Sequence, residues 1–167
     1  VYRATKALDP ARPVIDTSGF AHVETDLLDA HLYEQSADEL RAAIADEPDR
    51  LSFLSEYGGI RWPTETDEDG WGWGEVDAES EFFERYRALT ETLLNDPDMW
   101  GFCYTQLYDI EQEVNGLYTY DRKEKFDPAR LRAINEQEAA FERSDCPRLG
   151  GSAREQRLCP RPVSGRT

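Results

Sequence analysis

The segment "LSFLSEYGGIRW", residues 51–62, decides how the chain is read. A short apolar run ends in a carboxylate, Glu56, just before Gly58-Gly59. Taken as a strand, its period-two alternation sets Ser52, Leu54 and Glu56 on one face and Leu51, Phe53 and Ser55 on the other. An acid at the carboxyl end of a parallel strand stands where α/β proteins gather their ligand sites. The same position also suits a structural acid capped by the glycine turn, and position alone does not choose between the two.

Working outward, short apolar runs alternate with amphipathic stretches, the pattern of a parallel α/β sheet. Four strands are expected, at 12–18, 26–33, 51–57 and 100–108. Between the second and third, Ser36 with Glu39 three residues on forms a capping box for a helix whose apolar stripe is Leu40, Ala43 and Ile44. A longer helix follows from Phe82, Tyr86, Leu89 and Leu93 at three- and four-residue spacing, widened by Phe83 and Leu94 and ended by Pro97. Asp127-Pro128 starts a last helix that packs through Leu131 and Ile134. Residues 19–25 leave room only for a tight loop or one helical turn. Residues 60–77 carry no period, and a loop of that length with Trp71 and Trp73 in it reads as functional.

The chain has 167 residues and a formal net charge of -16, which disfavours nucleic acid and anionic lipid as partners. No apolar run approaches the roughly 18 residues of a spanning helix. Charge divides the chain: residues 1–142 are strongly acidic, whereas 143–167 are basic and poor in apolar periodicity, a tail expected to be disordered. Cys103, Cys146 and Cys159 have no metal-ligand spacing and are odd in number, so they read as free thiols and a cytoplasmic setting is favoured. The opening Val1 in place of methionine leaves export open.

No phosphate cradle, nucleophile elbow or zinc motif can be drawn, and no metal or other cofactor is expected; carboxylate chemistry remains. Tyr104 and Gln106 share one face of the run 100–108 with Phe102, and Asp109 and Glu111 follow in the next turn. Aromatic faces beside carboxylates and amides suit a sugar, which presents apolar C–H faces and a rim of hydroxyls. His31 and Tyr33 share a face at the end of 26–33.

The segments "DPARPVIDTSG", "DLLDAHLYEQ", "FLSEYGGIRW" and "GFCYTQLYDIEQEVNGLYTYDRKEKF" resemble, in that order, the last strands of the catalytic barrel of glycoside hydrolase family 2, the β-galactosidase and β-glucuronidase family. The resemblance implies an α/β fold, with residues 1–142 the C-terminal half (strands 5–8) of a (β/α)8 barrel. It makes Glu56 the nucleophile of a retaining β-glycosidase, Tyr33 the tyrosine that hydrogen-bonds it and Tyr104 the aromatic floor of the sugar subsite. It also carries His31, Gln106, Asp109 and Glu111 to the substrate site, where Trp71 and Trp73 would help hold the ring.

The family's acid/base belongs to an Asn-Glu pair after the fourth strand, outside the matched segments, so the chain is expected to need the rest of its barrel and to hydrolyse no glycoside alone. Asn135-Glu136 falls in the last helix, on the outer ring, and is not that pair. Asn115 stands where glucuronidases carry lysine, which favours a neutral β-glycoside. Two other readings are a non-catalytic carbohydrate-binding remnant and an acidic interaction fragment.

Overall fold

The computed structural model describes residues 1–47, 51–64 and 70–143. The basic tail, apart from Arg143, therefore lies outside the described residues, as do Cys146 and Cys159. The chain is α/β. Helix α1 (Tyr2–Leu8) precedes strand β1 (Asp29–Leu32), helix α2 (Ala37–Asp46) and strand β2 (Phe53–Gly58). Two short strands follow, β3 (Ile60–Arg61) and β4 (Gly74–Glu75), then helix α3 (Glu79–Leu94), strand β5 (Gly101–Thr105) and helices α4 (Pro128–Asn135) and α5 (Ala140–Arg143). β1, β2 and β5 form one parallel sheet in that order, and β3 pairs with β4 in a second.

The helices begin where local chemistry tells them to. Ser36 Oγ accepts the Glu39 N–H at 3.3 Å and donates to the Glu39 carboxylate at 2.8 Å, which satisfies donors that the first turn would leave orphaned. Asp127 caps α4 through the Ala129 N–H at 2.9 Å, with Pro128 at the first helical position. Along α3 every stripe residue, Phe82, Phe83, Tyr86, Leu89, Leu93 and Leu94, is buried.

These helices cover one face of the sheet. Leu40 of α2, the α3 stripe, and Leu131 and Ile134 of α4 share a single core with Ala30, Leu54 and Tyr57 of the strands. The opposite face is polar: Asp29 and His31 of β1, Tyr33 just beyond it, and Ser55 and Glu56 of β2 contact one another there. A sheet so divided sorts its side chains by solvent, apolar toward the helices and polar away from them.

The expected strand at 12–18 does not form. Pro13 removes a ladder donor, and Asp16 draws the backbone N–H groups of Thr17, Val23 and Glu24 onto its own carboxylate, so the segment becomes a knotted turn. Residues 19–25 are loop without a helical turn. The other expected strands survive in shortened form, and the segment after Gly59 holds β3 and β4 where no period was legible.

The α3 stripe carries the core, so Leu89→Ala should lower stability by about 2–5 kcal/mol and Ser36→Ala by about 1 kcal/mol. Urea denaturation measures both; equal small losses would mean that α3 is not the helix that closes the sheet.

Candidate functional site

The site is built on a break in the alternation of β2. Ala30 pairs with Leu54 but His31 pairs with Glu56, and on the other side Leu54 pairs with Phe102 but Tyr57 with Tyr104. Both neighbours step over one residue, so β2 carries a bulge at Ser55-Glu56. The bulge corrects the simple alternation: Leu54 (0% exposed) and Tyr57 (1% exposed) both enter the core, while Ser55 and Glu56 both turn to the polar face. An unbroken strand would have aimed Glu56 into the helices beside Leu54, at the cost of a buried charge.

Two groups meet at Glu56. The Tyr33 hydroxyl donates to Glu56 Oε2, and His31 Nδ1 lies 3.4 Å from the same oxygen. Oε1 has no hydrogen-bond partner among the described residues, and the carboxylate side chain is 37% exposed. Burial, together with the hydrogen bond and charge of Glu56, pushes the Tyr33 phenol well above its usual range, so it remains a protonated donor. Trp73 stacks on Tyr33 with ring centroids 4.1 Å apart and planes 10° from parallel, and Trp71 meets Trp73 edge to face. Gly58 and Gly59, both at positive φ, turn the chain here, and a Cβ on Gly59 would lie 2.5 Å from the Trp73 ring. Glu56, Tyr33, His31, Trp73 and Trp71 are thus brought together.

The remaining expected site residues are not. Tyr104 is set between Tyr57 and Tyr86 on the helix side, and its oxygen accepts the Ile60 N–H at 3.1 Å. Its partly buried ring packs against the core, because β5 sends its aromatic bulk toward α3. Asp109 is buried against Lys125 Nζ at 2.6 Å and accepts the Gly116 N–H at 2.9 Å. That ion pair ties the loop after β5 together, with Lys125 also donating to the Trp62 and Val114 carbonyls. Glu111 is exposed at a turn with φ of 51°. Gln106 follows β5, with its backbone on Asn115 and Leu117, and its Nε2 is buried with no partner among the described residues. Asn135 accepts from the Tyr86 hydroxyl and Glu136 pairs with Arg132, so that pair belongs to the helical layer.

Sequence reasoning missed a polar network behind His31. The Asp29 carboxylate takes hydrogen bonds from Ser55 Oγ and from the Gly19 N–H at 2.9 Å. Ser18 Oγ touches both Ser55 Oγ at 3.2 Å and His31 Nε2 at 3.0 Å. His22 stands between two acids, Nδ1 2.7 Å from Asp16 and Nε2 3.0 Å from Asp29. The hydrogen bond to Asp16 raises the His22 pKa, and backbone N–H donors led by Val23 hold Asp16 well below the usual carboxylate range. The signal was the recurrence of Asp16, His22 and Asp29 around a short loop, legible only once 12–18 is a turn. No group of three metal-ligating side chains occurs among the described residues, and no described helix is long and apolar enough to cross a membrane.

No protein-family model and no curated protein matches the chain. Solved structures do. A GH2 β-galacturonidase from Eisenbergiella tayi bound to galacturonate is similar at a TM-score of 0.53 and 16% identity, over 83% of this chain and 30% of that one. A β-glucuronidase from Bifidobacterium dentium complexed with coumarin-3-O-glucuronide is similar at a TM-score of 0.47 and 16% identity, over 65% of this chain and 20% of that one. This chain therefore spans less than a third of either structure, and at that identity the likeness to the first shows a shared α/β fold.

The Asp16–His22 contact gives stability a pH window. His22, raised in the folded state, contributes below its ordinary value of 6.5 and loses that contribution as pH rises through the folded value; Asp16, lowered, contributes above 3.8 and loses it as pH falls. Stability measured in urea should decline on the alkaline side in the native chain and decline less in His22→Gln. An identical alkaline slope in both would show that His22 is not the titrating group. In the same measurements Lys125→Met, which removes the countercharge of the buried Asp109, should cost about 3–5 kcal/mol, against almost nothing for Glu111→Gln.

Proposed function

We propose that Glu56 is the nucleophile of a retaining β-glycosidase and that residues 1–142 are the C-terminal half of a (β/α)8 catalytic barrel, with the tail from 143 onward outside it. One observation carries the reading: at the carboxyl end of a parallel strand, the Tyr33 hydroxyl donates to Glu56 Oε2, His31 Nδ1 stands 3.4 Å from the same oxygen, and Oε1 is left without a hydrogen bond among the described residues, with Trp73 stacked on Tyr33. A carboxylate so held attacks with one oxygen while the other stays fixed. The division of the sheet into a helix-covered face and a polar face is that of a barrel wall, and β1 and β5 each have one open edge among the described residues.

In the reaction Oε1 attacks the anomeric carbon as the aglycone oxygen leaves with a proton, and water later releases the sugar with retention. The protonated Tyr33 phenol orients Glu56 and stabilises its charge, while Trp73 and Trp71 offer faces to the sugar C–H groups. The proton donor is a second carboxyl group roughly 5 Å from the nucleophile. The family resemblance assigns it to a strand ahead of the matched segments.

The Eisenbergiella tayi β-galacturonidase, similar in fold, holds a uronic acid, galacturonate. In this chain Asn115 donates to Glu113 at 3.0 Å, so the place where glucuronidases carry lysine holds an amide and a carboxylate. A neutral β-glycoside, with β-galactoside first, fits that charge better than a uronide.

A 2-deoxy-2-fluoro-β-galactosyl fluoride tests the nucleophile without a proton donor, since fluoride departs unaided. The expected result is one sugar adduct, located by peptide mass spectrometry on Glu56, absent in Glu56→Gln and formed more slowly with the galacturonyl analogue. An adduct elsewhere would overturn the assignment. No adduct, combined with sugar binding by tryptophan fluorescence that survives Glu56→Ala, would make the chain a binding remnant.

A further inference from the structure

The contacts behind His31 are directional, and following each hydrogen fixes the state of the ring that faces Glu56. The chain starts at Asp29, whose side chain is fully buried. Its Oδ2 accepts from the Gly19 N–H and the Ser55 hydroxyl, while His22 Nε2 lies 3.0 Å from Oδ1 and hydrogen-bonds the Asp29 carbonyl at 3.3 Å. His22 can only donate from both nitrogens, because Nδ1 faces the Asp16 carboxylate and Nε2 faces the Asp29 side chain and carbonyl. An ionised carboxylate accepts and never donates, so the Ser55 hydrogen lies toward Asp29. The Ala30 carbonyl, 3.3 Å from Ser55 Oγ, is the longer and uncharged alternative.

Ser55 Oγ, its hydrogen committed, can only accept from Ser18 at 3.2 Å. Ser18 Oγ, its single hydrogen given to Ser55, can only accept from His31 Nε2 at 3.0 Å. The ring is held to that orientation by Gly19: a Cβ there would lie 2.1 Å from His31, so ring and backbone are in direct contact.

We infer that Asp29, acting through Ser55 and Ser18, is a positioning residue that fixes His31 as the Nε2–H tautomer and so turns the unprotonated Nδ1 of the neutral ring toward Glu56. This rests on the reading of Glu56 as nucleophile only for its consequence, not for its geometry. The consequence is that neutral His31 gives Glu56 no hydrogen bond. Oε2 then has the Tyr33 hydroxyl as its one donor, and the carboxylate keeps more of its charge for attack than it would under two donors. When the ring takes a second proton, that proton goes to Nδ1 and points at Glu56, which favours departure of the carboxylate from a glycosyl-enzyme. The charged groups around this switch are Glu56 on one side and the Asp29, His22 and Asp16 cluster on the other.

Nitrogen-15 NMR of the histidine rings reads the tautomer directly, at a pH where the His31 ring is neutral by its own titration. Ser18 is exposed, so Ser18→Ala leaves the core untouched. The native chain should show His31 protonated on Nε2; Ser18→Ala should move the proton to Nδ1, where it can donate to Glu56, and should slow fluorosugar labelling of Glu56 severalfold. Ser18→Thr, which keeps the hydroxyl, should restore both. A native ring protonated on Nδ1, or a ring unmoved by Ser18→Ala, would overturn the inference. The NMR arm reads the tautomer whether or not Glu56 reacts, so failure of labelling with the expected tautomer would instead count against the nucleophile.

Discussion

The contact on which the rest depends is the hydrogen bond from Tyr33 to Glu56, and it exists because β2 contains one residue too many. Regular alternation would put Leu54 and Glu56 on the same side, and that side is the core of α2, α3 and α4. The chain resolves the conflict with a bulge, which keeps Leu54 and Tyr57 in the apolar layer and releases Ser55 and Glu56 to the polar one. Bulges are common where a strand must re-aim a side chain beside a site. Here the re-aimed pair does two jobs: Glu56 meets Tyr33 and His31, and Ser55 joins the Asp29 network that stands behind His31.

The anchoring of that bulge is uneven by design of its surroundings. On the core side it is fixed by packing, with Tyr57 hydrogen-bonded to Thr90 at 2.8 Å and edge-on to Phe102 and Tyr104. Beyond it Gln35 bridges the Tyr33 and Gly58 carbonyls at 2.8 and 2.7 Å, which ties the ends of β1 and β2 together just past the carboxylate. On the proposed reading of Glu56 as nucleophile, a carboxylate held by both a rigid core and a tied strand end loses little entropy when it meets a substrate.

Much of this was legible where the determinants are local. The Ser36–Glu39 box, the Asp127-Pro128 start and the α3 stripe are short-range signals, and each stands where its residues predict. Glu56 and Tyr33 could be paired in advance only through a family resemblance, since nothing in their spacing shows that one hydroxyl reaches the other. The bulge was not legible, because it is a relation among three strands and leaves no mark on one. Tyr104 drew attention as a site aromatic for its type, but which face of β5 looks at the helices is decided by Tyr86 on α3. Asp109 reached the substrate site through the family resemblance, and Lys125, sixteen residues on, gave no sign of being its ion-pair partner. The run 12–18 had strand composition, yet one aspartate competing for backbone donors was enough to fold it into a loop.

The most direct measurement is a double-mutant cycle on Tyr33→Phe and Glu56→Gln, read as unfolding free energy in urea. If the phenol donates to a carboxylate held at the bulge, the two substitutions should couple by about 1–2 kcal/mol. Effects that simply add, within about 0.5 kcal/mol, would mean the two side chains do not meet. The account of the polar face would then fail at its first contact.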